Sequence, residues 1–279
     1  MKWVSALSRQ TDIDGAIQEA AESAMQQLGE DQSDLTVVFV SPQFKEFYDR
    51  VPDLISRYFK PGLLFGCSGG GIIGNGEEAE QQAAISITCA SLPGVKIQPI
   101  QLETTNLPDQ DTSPSVWREW LQVNAKDNPH FVFLADPFSF RGEEFLAGVD
   151  FAYPNSKKVG GLASGAQAQG GNAMYLGDKI YNSGLIGIAL SGDIEVDTIV
   201  AQGCRPIGEP IQITKCEHNL LQELGGKPPL EVLQELNETL SDADKKLIQS
   251  SLFLGIEMDP MKDNPKQGDF LIRNLMGVD

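Results

Sequence analysis

One order of landmarks occurs twice along the chain, and that repetition limits the fold more than any other feature. Leu35-Thr36-Val37-Val38-Phe39-Val40 is an apolar run too short for a helix and rich in β-branched residues, which reads as a buried strand. It ends in Ser41-Pro42, as Phe131-Val132-Phe133-Leu134-Ala135 ends in Asp136-Pro137. Helical segments follow, Pro42 to Phe59 in the first copy and Glu143 to Phe151 in the second. Leu63-Leu64-Phe65 then leads into Gly66-Cys67-Ser68-Gly69-Gly70-Gly71, and Lys158-Val159 into Gly160-Gly161-Leu162-Ala163-Ser164-Gly165. Each copy closes on a predicted β-hairpin: Ala84 to Ala90 with Val95 to Leu102 about Pro93-Gly94, and Leu185 to Leu190 with Ile194 to Val200 about Ser191-Gly192. Equivalent landmarks lie about 95 to 100 residues apart, longer than a solenoid period and the size of a half-domain. The sequence therefore predicts an internally duplicated α/β fold, with layered mixed sheets carrying helices on their outer faces.

The halves fall at about 1–105 and 106–199, and a smaller α+β region occupies 200–279. The clearest helix runs from Thr11 to Gly29, with Ile13, Ala16, Ile17, Ala20, Ala21, Ala24, Met25 and Leu28 on one face. Thr11 and Asp14 are positioned to cap its start and Gly29 to end it. Pro114 to Ala125 is the corresponding helix of the second copy, with Trp117, Trp120 and Leu121 at core spacing. Beyond the junction Gln202-Gly203-Cys204-Arg205-Pro206, strands are predicted at Pro210 to Thr214, Leu220 to Leu224, Leu252 to Glu257 and Phe270 to Met276. Helices are predicted at Leu230 to Leu240 and Ser241 to Gln249. The strand-like ending at Gly277-Val278-Asp279 reads as a shortened C-terminal region.

Composition narrows the function. Hydrophobic residues make up 41% and charged residues 22% of 279, an ordinary globular balance. The net charge of -18 repels phosphate backbones and anionic lipid, so neither a nucleic-acid partner nor membrane insertion is expected. No apolar run reaches the ~20 residues needed to span a bilayer, and no signal-peptide stretch precedes Arg9 and Asp12, so a cytoplasmic location is expected. Cys67, Cys89, Cys204 and Cys216 are widely spaced and read as free thiols.

The glycine clusters carry the functional reading. Gly69-x-Gly71-x-x-Gly74 satisfies a dinucleotide fingerprint, but only about ten residues separate it from the next strand, too few for the crossover helix that would receive pyrophosphate. Gly66-x-Ser68-x-Gly70 fits a nucleophile elbow, with His218 later in the chain, yet the helix that must follow the serine has no room. Cys204, Cys216 and His218 lack the paired spacing and the fourth ligand of a zinc site. No cofactor is implied. His130, Trp117 and Trp120 read as structural residues. The second copy keeps glycines and a serine but loses the elbow spacing, which favours duplicated backbone donors around a shared cleft over duplicated catalysis. Tight packing of backbone on backbone explains the same glycines equally well. The candidate ligand-binding residues are Cys67, Ser68, Gly69, Gly70, Ser164, Gly165, Cys204 and Arg205. Arg205 is the natural carboxylate clamp and raises the thiolate character of Cys204.

Phe65-Gly66-Cys67-Ser68-Gly69-Gly70-Gly71, Val159 to Gly165, Gly187-Ile188-Ala189-Leu190-Ser191-Gly192 and Val200-Ala201-Gln202-Gly203-Cys204-Arg205-Pro206-Ile207-Gly208 together resemble FIST domain proteins. Positions up to about Ile199 resemble the family's N-terminal region. The remainder, with Gly268 to Gly277, resembles the start of its C-terminal region. The resemblance implies a stand-alone sensory protein of intracellular signal transduction that binds a small ligand, an amino acid or a related polar metabolite, and acts on a signalling protein partner. It supplies no catalytic residues. Two other readings stay open: an acyl hydrolase using Ser68 or Cys204 with His218, and a protein-interaction scaffold without a ligand.

Overall fold

A computed structural model describes the whole chain except residues 31, 104–106, 110, 200–202, 218–219, 250, 259–261, 263–268, 276 and 278–279. The chain divides into two compact units, Met1–Thr198 and Ile199–Asp279.

The first unit begins with a strand that sequence reasoning passed over. In β1, Lys2–Ser8, alternation buries Val4, Ala6 and Ser8. Helix α1, Ile13–Leu28, buries the predicted alanine-rich face, and Gly29 ends it in the left-handed conformation at φ 78°. Its cap is Asp12, which accepts from the Gly15 N–H, rather than the expected Thr11 or Asp14. Strand β2, Leu35–Val40, leads into a 3-10 helix, Pro42–Arg50, and the short α2, Val51–Ser56. The Gly/Ser segment belongs to β3, Leu63–Ser68. A hairpin follows, β4, Gly71–Gly74, and β5, Glu77–Glu80, turning at Asn75-Gly76, both at positive φ. Strand β6 is Ile85–Ser91.

Strand β7, Val95–Leu102, does not fold back on β6. The predicted hairpin is absent: β6 pairs with β1 and β2, whereas β7 pairs with β12, Leu185–Gly192. Between β7 and β12 come α3, Pro114–Leu121; β8, His130–Ala135; α4, Gly142–Ala152; β9, Lys158–Leu162; and the hairpin β10, Met174–Leu176, with β11, Lys179–Tyr181. The second predicted hairpin is absent too, because residues 194–199 form no strand and Val200 lies outside the described residues.

The duplication is plain in the sheets. One runs β1-β6-β2-β3 and the other β7-β12-β8-β9, with matching directions: antiparallel, antiparallel, then parallel. The copies are also interlocked, since β10 of the second half pairs antiparallel with β3 of the first and extends that sheet to six strands with β11.

Side-chain alternation sets the layers. Val38 and Val40 of β2 pack with α1 and α2, whereas Leu35 shares an inner core with Phe65, Cys67, Leu134, Ile186 and Ile188 from both sheets. Phe131 and Phe133 of β8 face the other way, toward Trp117, Phe145 and Val149 of α3 and α4. Helices thus cover the outer face of each sheet and the two inner faces share one hydrocarbon layer.

The second unit contains β13, Ile213–Glu217, paired with β14, Leu220–Leu224; α5, Pro229–Thr239; α6, Asp242–Leu247; and β15, Phe253–Glu257, paired with β16, Phe270–Asn274.

Candidate functional site

The two Gly/Ser bends meet. Ser68 ends β3, and the Ser164 N–H donates to its carbonyl at 3.2 Å. The Gly70 N–H donates to Ser164 Oγ at 3.0 Å. A side chain at Gly165 would begin 2.5 Å from Ser68 Cβ, so the close approach requires glycine there, and one at Gly70 would fit tightly, 3.0 Å from the Ser164 carbonyl oxygen. The same device seats each parallel strand pair. A Cβ at Gly66 would lie 1.8 Å from the Val38 carbonyl oxygen, and one at Gly160 would lie 2.0 Å from that of Phe133.

Behind the bends runs a buried polar chain. Ser68 Oγ donates to Asn172 Oδ1 at 3.1 Å and accepts from the Ala173 N–H at 3.1 Å. Asn172 Nδ2 donates to Asp136 Oδ1 at 3.0 Å, and Ser139 Oγ donates to the other carboxylate oxygen at 2.6 Å. Ser139 Oγ in turn accepts from the Gly184 N–H. Ser68 and Asp136 are fully buried and Asn172 nearly so. This chain joins the end of β3 in one sheet to the end of β8 in the other. Burial pushes the neighbouring Tyr48 hydroxyl up to about 12 and the Cys67 thiol up to about 12, so both stay protonated at neutral pH.

In front of the bends lies an open cleft of about 640 Å³. Its walls are Pro42 and Lys45 of the 3-10 helix, the bend residues Gly70, Ser164 and Gly165, and the loop 166–171. That loop exists in one copy only: β3 is followed almost at once by β4, whereas residues 163–173 separate β9 from β10. The site is therefore built from a repeated bend and an unrepeated loop.

Of the sequence candidates, Gly70, Ser164 and Gly165 line the cleft. Ser68 stands behind it in the buried chain, and the Cys67 side chain is in the core between the sheets. The N–H groups of Ser68 and Gly69 are engaged by the Ala173 and Val40 carbonyls, so the amides expected to face a ligand instead tie the bends into the sheets. Cys204 and Arg205 belong to the second unit, where Arg205 pairs with Asp244. His218 lies outside the described residues, as do Val200, Ala201, Gln202, Gly268 and Met276. His130 has the structural role predicted for it, its Nδ1 accepting from the Lys157 N–H.

Sequence reasoning missed Lys45, Asp136 and Asn172. The unequal spacing between the copies after each Gly/Ser bend was the available signal for the loop. The lining of the cleft holds no carboxylate, imidazole or thiol, and Ser68 is screened from it by burial. Among the described residues no group of three or more His, Cys, Asp or Glu is arranged to hold a metal ion. Among them, too, no helix is long and apolar enough to cross a membrane.

The fold is a duplicated mixed α/β scaffold with an open cleft beside the meeting point of its two Gly/Ser bends. Residues 34–227 match the FIST N domain. An uncharacterized protein of Mycobacterium tuberculosis strain H37Rv is 31% identical over 276 residues, covering 98% of this chain and 69% of its own. An uncharacterized protein of Mycobacterium bovis is 31% identical over 271 residues, covering 96% and 67%. The chain belongs to the FIST family, whose domains are commonly sensory domains of signal transduction.

Proposed function

We propose that this protein senses a small polar metabolite in the cleft between the two halves and passes the occupied state to a signalling protein. The observation that supports this most directly is the meeting of Gly70 and Ser164 across the duplication at the floor of an open cleft. An amino acid or a derivative is the ligand class implied by the family. Sensing requires the ligand to bind one of two states more tightly, since equal affinity shifts no population. The floor is tied by the hydrogen bonds of Ser164 to Gly70 and Ser68, so the loop 166–171 is the part of the wall assigned here to respond.

The test is thermal unfolding of the full chain against a panel of amino acids and related metabolites. A true ligand at a hundred times its Kd stabilises by about 2.7 kcal/mol. Ala168→Trp, which fills the cleft from its exposed loop, is expected to abolish that shift while leaving the unliganded melting temperature unchanged. A shift that survives Ala168→Trp places the ligand elsewhere, and a panel without any shift removes the sensory reading. Arg205 and Cys204 belong to the second unit and stand as a separate proposed contact, apart from the cleft. Loss of the shift in Arg205→Ala would support the clamp, and its persistence would dismiss it.

A further inference from the structure

We infer that the cleft recognises an oxyanion and that Lys45 is the residue that selects it. The inference rests on the cleft being a ligand site and adds the charge of what enters it. In a chain of net charge -18, Lys45 is the one charged side chain among the residues lining this cleft. Among the described residues Lys45 makes no ion pair, whereas Arg50, further along the same 3-10 helix, is paired with Asp14. The ammonium lies against the loop, 3.6 Å from where a side chain at Gly171 would begin. A larger residue at Gly171 would also strike Ala166 Cβ at 2.6 Å, so glycine there keeps the loop folded in beside the lysine.

The rest of the lining says what else the ligand carries. Proline, glycine, alanine, serine and glutamine form the walls, with no aromatic ring and no large aliphatic side chain. Such walls give a large apolar ligand no ring or branched side chain to pack against, and burial of hydrocarbon contributes only ~25 cal/mol per Å². They do offer hydrogen bonds. The Ser164 hydroxyl, which accepts from Gly70, keeps its own proton for a ligand, and Gln167 and Gln169 add amide groups to the lining. A lone ammonium, neutral donors and no carboxylate fit a compact hydrophilic anion. A carboxylate and a phosphate group share this chemistry, and the experiment separates them.

The test is acetylation of the full chain by an amine-reactive ester, with each lysine followed by mass spectrometry at constant ionic strength. Acetate, inorganic phosphate and chloride are compared. At ten times its Kd, acetate or phosphate is expected to slow modification of Lys45 about tenfold, leaving the exposed Lys96 and Lys126 unchanged. Protection by acetate alone marks a carboxylate site, and protection by phosphate alone marks a phosphate site. Equal slowing of all three lysines, equal slowing by chloride, or no slowing at all overturns the inference. Lys45→Gln and Lys45→Arg give a second readout, because both changes are on an exposed side chain and leave the core untouched. Any oxyanion-dependent thermal shift should vanish in the first and persist in the second. If a neutral metabolite still stabilises Lys45→Gln and Ala168→Trp still blocks it, the cleft is a ligand site and only its anion selectivity is wrong.

Discussion

At the scale of single residues, Ser68 is where the two halves converge. Its hydroxyl satisfies Asn172 and the Ala173 N–H at once, and its carbonyl receives Ser164. Ser68→Ala leaves a buried amide oxygen and a buried N–H without their partner, and each orphaned group costs about 1–3 kcal/mol. Urea unfolding should show a loss in that range or above it. An unchanged midpoint would mean that the buried chain contributes no stability. The sequence made the glycines and serines of this junction conspicuous but not their partners. Asn172 and Asp136 stand 36 positions apart and belong to no motif, so only the folded chain shows that they touch. Lys45 was equally silent, because an exposed lysine on a helical stretch reads as solvated surface until a loop is found lying beside it.

At the scale of elements, strand existence was far more legible than strand pairing. The short apolar runs at β2, β3, β8 and β12 announced themselves through β-branched residues and length. Pro93-Gly94, however, is compatible with both a hairpin and a passage between sheets, and the chain takes the passage. Pro99 within β7 was the clue: a strand containing proline belongs at an edge, and β7 is the edge strand beside β12. Asn75-Gly76 was a second unread signal, the commonest dipeptide of a tight hairpin turn. Helix packing shows how little slack these elements have. A methyl group on Gly148 of α4 would sit 2.1 Å from the Trp117 ring of α3, and that ring stands edge-on to Trp120 at 5.8 Å. Gly148→Ala must push the indole out of its place, with an expected loss of about 1–3 kcal/mol and a change in tryptophan fluorescence. A variant as stable as the parent with an unchanged spectrum would contradict this close packing.

At the scale of the whole molecule, buried weak acids set an upper pH limit on the fold. Burial raises the thiols of Cys67 to about 12 and Cys89 to about 11, from an ordinary 9.0. It raises the Tyr48 and Tyr153 hydroxyls to about 12 from 10.0 and pushes Tyr175 up as well. Above pH 9.0 the unfolded chain therefore sheds protons that the folded chain retains, so stability is complete below that value and declines as pH climbs toward the raised values. Urea midpoints should fall steadily from pH 9 to about pH 11. A flat profile over that interval would place these side chains in water. The interlocking of the copies has a further consequence, for biosynthesis. The sheet that starts at Lys2 receives its last two strands from Met174–Leu176 and Lys179–Tyr181. A ribosome must deliver nearly all of the first unit before that sheet acquires its outer edge. The nascent amino-terminal half leaves the exit tunnel with β3 unpaired on one side, and a gene cut between the copies would yield two fragments that need each other.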